Sequence, residues 1–230
     1  MLLFVEKFFG RRAVFIHRLF HRFFHSLRKV FHQFSTAFLT VSVILRAQAK
    51  SPFMRKLSIT DLNRISVEEF KAAPKLSLTL VLDNVRSVYN VGSVFRTADA
   101  FRVEKILLCG ITAVPPSTEI HKTALGAEFS VDWAYYQDAL QAVNHLKDNG
   151  YKVWAIEQVQ GSTALQDWQP KGQQKYALVL GNEVKGVTQE VVDACHGALE
   201  IPQYGTKHSL NVSCAASVVM WEFFRQVFPF

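Results

Sequence analysis

From Met54 onward, short apolar and β-prone runs alternate with segments of helical spacing, and few folds accommodate that order. Residues 77–82, 105–109, 151–156 and 176–180 read as buried strands. Helices are expected over 61–71, 91–101, 137–149 and 210–227. Ser66 and Glu69 have capping-box spacing within the first of these, and Gly150 suits the left-handed residue past the third. Ala215, Ala216, Val219 and Phe223 are available for packing on the last. Pro115-Pro116 marks a loop, and the polar stretch 161–174 reads as another, on the surface. Strands and helices in this alternation predict an α/β domain, a parallel sheet flanked by helices.

The first 53 residues have a different chemistry. They hold nine Lys/Arg and one acid, so the whole net charge of +7 resides there and the remainder is close to neutral. Eleven of the nineteen phenylalanines also lie there, and Phe15, Leu19, Phe23, Leu27, Phe31, Phe34 and Phe38 recur at helical intervals between basic residues. A basic amphipathic helix fits this pattern. Its longest uncharged run, 33–45, has thirteen residues, short of the roughly 20 that cross a bilayer. The segment reads as a leader of three kinds: a start codon placed too far upstream, a targeting segment, or an arm for RNA or a membrane surface. A protein beginning at Met54 is expected to fold and work as the full chain does.

At 230 residues the chain suffices for one ordinary domain and an appendage. Cys109, Cys195 and Cys214 are widely spaced and odd in number, and no Cys/His metal spacing is present. Reduced thiols in the cytoplasm are expected, with Cys109 and Cys214 as small core residues.

Three stretches stand where apolar runs stop and loops start. The first carries Asn90, Gly92 and Arg96; the second Leu180, Gly181, Glu183 and Gly186; the third Ile201, Gly205, His208, Ser209, Leu210 and Asn211. Ligands of open α/β sheets bind outside the carboxyl ends of strands. Neither a GxGxxG nor a GxxxxGK[ST] pattern is present, which removes the main support for a dinucleotide or P-loop site. Alone, each stretch is also explained by ordinary structure: Asn90, Ser209 and Asn211 as helix-start residues, Glu183 as a cap, Leu210 as core and His208 as a surface histidine.

Together, in this order and spacing, the stretches resemble the three motifs of the SpoU/TrmH family of RNA ribose methyltransferases, over most of 54–228. The resemblance implies a SPOUT fold whose C-terminal part threads a trefoil knot, a homodimer with the last helix in its interface, and S-adenosylmethionine as cofactor. By motif position, Leu180, Gly181, Ile201 and Leu210 line the cofactor site, and Arg96, Asn90, Glu183, Ser209 and Asn211 form the catalytic set. The implied chemistry is attack of a ribose 2′-oxygen on a methyl sulfonium, for which a dry pocket without strong charge at the sulfur is expected. By the same resemblance, Arg96 stands at the position of the family's proposed activating residue. A guanidinium stays protonated, so holding a phosphate and stabilising a developing alkoxide suit it better than removing a proton. Ser87, Val88 and Tyr89 depart from the acidic residue and Pro or Gly that often precede the motif asparagine. A compact core without an added RNA-recognition module favours tRNA over rRNA. The alternative reading is a non-catalytic RNA-binding protein that keeps the fold.

Overall fold

The computed structural model describes Ser26 and residues 54–228. The leader helix expected from the phenylalanine spacing lies outside the described residues. Residues up to Asn63 and residues from Arg64 form separate units. The described part of the first holds one 3-10 turn, Thr60–Leu62, tied by the Asp61 carboxylate, which accepts from the Ser58 amide and hydroxyl at 2.8 and 2.7 Å.

The second unit runs through α1 (Val67–Ala72), β1 (Leu76–Asp83), α2 (Val88–Ala100), β2 (Val103–Cys109), α3 (Thr118–Ala124) and α4 (Ala127–Ser130). It continues through β3 (Asp132–Tyr136), α5 (Ala139–Asp148), β4 (Lys152–Ile156), β5 (Thr163–Ala164), β6 (Tyr176–Leu180), α6 (Gln189–Ala194), β7 (Gly197–Glu200) and α7 (Val212–Val227). The strands form one seven-stranded sheet in the order β3-β2-β1-β6-β4-β7-β5. Every pairing is parallel, as the alternation of elements predicts.

Side chains alternate across a strand, and the two sets build two cores. Leu78, Leu80 and Leu82 of β1, with Ile106, Leu108, Leu178 and Leu180, meet Val94 and Phe95 of α2 and Val219 and Phe223 of α7. On the other face Val81, Leu107, Val153 and Val179 meet Ala142, Val143 and Leu146 of α5 and Val191 of α6. Strands buried on both sides must be apolar throughout, which is why 77–82 and 176–180 read as continuous hydrophobic runs.

The helix expected over 61–71 is shorter. Asn63 is left-handed at φ 46°, and α1 starts only after Ser66, whose hydroxyl accepts from the Glu69 amide while Glu69 accepts from the Ser66 amide. The capping box therefore marks the start of the helix. Helix α2 begins before 91 because Ser87 caps it, accepting from the Asn90 amide at 3.3 Å, so Asn90 lies inside the first turn. Stretch 161–174 is not simply a surface loop. It contains β5 and a 3-10 turn, and buries Leu165 and Trp168, the latter with ring centroids 5.5 Å from Tyr176 and 5.7 Å from Phe223. Cys109 is buried as expected, and burial with the neighbouring Asp83 and Asp138 charges pushes its thiol up to about 12. Cys214 is exposed, because position 214 of α7 falls on the face away from Ala216, Val219 and Phe223.

Candidate active site

Strands β4, β6 and β7 end side by side, and a cavity of about 280 Å³ opens at their carboxyl ends. That volume lies near the lower end of small-ligand sites. Its apolar wall is Ile156, Leu180, Leu199, Ile201, Leu210, Val212 and Ala215. Glu157, Gln158, Gln203 and Ser209 supply polar groups.

The β6–α6 loop is a compact turn. The Asn182 carbonyl accepts from the Gly186 amide at 2.8 Å, and the Asn182 amide donates back to Gly186 at 3.1 Å. The Asn182 side chain ties the turn further, accepting from the amides of Val184 and Lys185 and donating to the Asn84 carbonyl at 2.8 Å. Gly181 packs flat against it: an added Cβ would stand 2.1 Å from the Gly186 carbonyl carbon and 2.2 Å from the Val187 nitrogen. Gly186, at φ 67°, is met by Glu157, whose carboxylate accepts from the amides of Val187 and Gln158 at 2.9 and 3.0 Å.

The β7–α7 loop forms the opposite lip. Among the described residues no backbone–backbone hydrogen bond ties 201–210. Its one backbone anchor to a side chain is the His208 carbonyl, which accepts from Gln158 at 2.8 Å. The remaining peptide groups of the lip are free to meet a ligand.

Glu183 joins the three motif stretches. Its carboxylate accepts from the amides of Arg86 and Ser87, each at 2.9 Å, and from the Asn90 side chain at 3.1 Å. The Asn90 side-chain oxygen Oδ1 accepts in turn from the Asn211 side-chain amide at 3.2 Å, and Asn211 caps α7 by accepting from the Ser213 amide at 2.9 Å. Burial alone would raise the Glu183 carboxyl, but the amides of Arg86, Ser87 and Glu183 itself, with Asn90, outweigh it and hold the group below its ordinary value. A charged acceptor facing several donors keeps both loops in register.

The expected site residues thus fall into two groups. Leu180, Gly181, Ile201, Leu210, Glu183 and Ser209 line the cavity, and Asn90 and Asn211 are linked to it through Glu183. Arg96 does not line it; it is exposed on α2, beyond Gly92, which packs against Ile120 and Thr123 of α3. Helix α2 is tied to α7 by the Thr97 and Ser217 hydroxyls at 3.2 Å. Sequence reading passed over Glu157 and Gln158, and gave Ala215 a packing role only. The signal for Glu157 and Gln158 was available, since both follow the apolar run of β4 directly.

A family model described as the SpoU rRNA Methylase family matches residues 77–221. The chain belongs to the SpoU rRNA methylase family. A Staphylococcus saprophyticus protein assigned to the TrmH family of tRNA/rRNA methyltransferases is 32% identical over 163 residues, which is 70% of this chain and 63% of that protein. The chain thus spans less than two thirds of that relative's length. The rRNA methyltransferase of Sinorhizobium meliloti, solved with AdoMet bound, aligns at a TM-score of 0.63 and 26% identity over 70% of this chain and 61% of its own. A structure solved to explain 2-OH methylation of C/U34 on tRNA aligns at 0.58 and 27% identity, over 65% of this chain and 95% of its own. The SpoU family match and the cavity coincide: the β6–α6 loop and the β7–α7 lip both lie inside the matched residues.

Proposed function

We propose that the protein is an S-adenosylmethionine-dependent RNA ribose 2′-O-methyltransferase acting on tRNA. The observation that carries this reading is Glu183, which fastens Asn90, and through it Asn211, beside a cavity built from Gly181, Ile201 and Leu210. The cofactor, when bound, supplies an electrophilic methyl group. The residues present suit it: an apolar wall for a flat base, and unpaired peptide groups between 201 and 210 for its polar edges. Leu180, Gly181, Ile201 and Leu210 would hold it.

Both carboxylates that line the cavity are engaged by backbone amides, Glu157 by Val187 and Gln158, and Glu183 by Arg86 and Ser87. Their charge is spent on the loops. Ser209 and Glu183 orient the ribose side, and Asn90 and Asn211 fix the loops that carry them. Arg96, exposed and outside the cavity, meets the RNA: it holds a phosphate and stabilises the developing alkoxide.

The protein acts as a homodimer in the cytoplasm. Cys214, Val218 and Trp221 of α7 form an exposed row at helical spacing, which supports burial of that helix in a subunit interface. The trefoil threading of the C-terminal part belongs to the same proposal. No helix among the described residues is long and apolar enough to cross a membrane. Substrate class rests on the C/U34 relative, which this chain covers almost entirely, and on the compact core.

The reading is tested in two steps. Thermal shift with S-adenosylmethionine and its demethylated product should raise the melting temperature, because a ligand of the native state alone stabilises it. Labelled methyl transfer to bulk tRNA against rRNA, with mapping of ribose methylations lost on gene deletion, then decides the substrate. A folded protein that binds RNA but neither ligand would establish the non-catalytic alternative.

A further inference from the structure

A second cavity, of about 220 Å³, lies on the other face of the sheet, between α5 and the strands β1, β2 and β3. It shares no lining residue with the candidate active site. Thr79 of β1 lines it with a side chain only 1% exposed, whose hydroxyl faces the Tyr151 hydroxyl without meeting full hydrogen-bond geometry. A buried hydroxyl without a partner is unfavourable, and the neighbouring position on the same face, Val81, shows that an apolar side chain packs there well. Lys105 and Lys175 stand at the rim; Asp132 is the cross-strand neighbour of Lys105, but neither lysine is in an ion pair among the described residues. No carboxylate lines the cavity; Glu104, outside it, accepts from the Tyr151 hydroxyl at 3.1 Å. Rings are present too: Tyr136 and His145 lie 5.9 Å apart by centroid, and the Lys175 ammonium stands 5.3 Å from the Tyr151 ring centre.

Two cations with no acid among the lining residues call for an anion, flat rings call for a flat body, and the Thr79 hydroxyl and the Asn149 side-chain carbonyl can meet polar edges. We propose that this cavity binds a single nucleoside 5′-phosphate unit, its phosphate on Lys105 and Lys175 and its base against Tyr136 or His145. The volume, below the usual range of small-ligand sites, leaves room for no more than one such unit. The unit has two possible sources, a nucleotide of a bound RNA strand or a free mononucleotide.

The test titrates uridine 5′-monophosphate, and uridine without the phosphate, into the full chain, followed by amide NMR shifts and calorimetry. Saturable binding of the phosphate form is expected, at least about tenfold tighter than uridine, since contacts to a charged group are the stronger ones. The double variant Lys105→Gln/Lys175→Gln should lose about tenfold or more, and Thr79→Val about fivefold. Binding of a tRNA transcript at several salt concentrations assigns the source. Weaker binding by the double variant with a flatter salt slope, together with competition by the mononucleotide, points to the RNA strand. Unchanged tRNA affinity of the double variant, where wild type binds the mononucleotide and the variant has lost that binding, points to the free ligand. The proposal is overturned if wild type binds the phosphate form no better than uridine, or if the double variant binds it as wild type does. Stabilisation by S-adenosylmethionine serves as the control: its absence would tell against the methyltransferase reading and leave the cavity's result standing.

Discussion

The Asn90 side-chain amide donates to the Glu183 carboxylate at 3.1 Å, although the two residues are 93 positions apart. One contact thereby ties the start of α2 to the loop that follows β6. The same carboxylate holds the amides of Arg86 and Ser87, so the geometry of the candidate site depends on its charge.

Glu183→Gln keeps the shape but turns an NH₂ group toward donors. We expect a loss of about 1–3 kcal/mol in denaturant unfolding and a collapse of methyl transfer. The pH dependence has a definite sign. The folded carboxyl lies below its ordinary value, so its contribution is present above about pH 4.3 and is lost as pH falls through the lower folded value. The gap in stability between wild type and variant should therefore be flat near neutrality and shrink in acid.

Gly181→Ala places a methyl group 2.1 Å from the Gly186 carbonyl carbon, which is backbone and cannot swing aside. The β6–α6 turn must shift, and with it the cavity floor. Calorimetry should show S-adenosylmethionine affinity reduced at least about tenfold, since displacements of about 1 Å in a preorganised site have effects of that size or more.

Arg96→Ala should remove methyl transfer by about 10²–10³ in rate while leaving cofactor affinity nearly unchanged, because Arg96 lies outside the cavity. Arg96→Lys should not restore full activity, as the planar guanidinium fork is lost. Single-turnover rates with saturating RNA provide the measurement.

Asp83 is buried at the end of β1. Burial raises its carboxyl above the ordinary range; hydrogen bonds from Asn84 and the Thr188 amide oppose the rise, and the Asp138 charge adds to it. A raised folded value means that stability is full below about pH 3.9 and is lost as pH rises through the folded value. Asp83→Asn should therefore melt higher than wild type near pH 7, and the difference should vanish in acid. Thermal unfolding across pH 3–8 checks this.

The sequence by itself determined the parallel α/β class, because strands buried on both faces must be apolar throughout and 77–82 and 176–180 say so directly. It came within two residues of the start of α7, which Asn211 caps, but began the first helix at 61 although Ser66 caps α1. It also singled out part of the cavity lining, since strand-end loops with Gly181 or Ser209 stand out locally. Elements whose stability comes from partners elsewhere were not legible: edge strand β3, with its mixed polar and aromatic residues, and Trp168, which is buried only because Tyr176 and Phe223 receive it. Tertiary structure alone decided that Glu183 would hold Asn90, that Glu157 would fill the space beside Gly186, and that Arg96 would lie apart from both. Local sequence fixes backbone preference and hydrophobic period, whereas which distant donors meet a carboxylate depends on how the strands are ordered in the sheet.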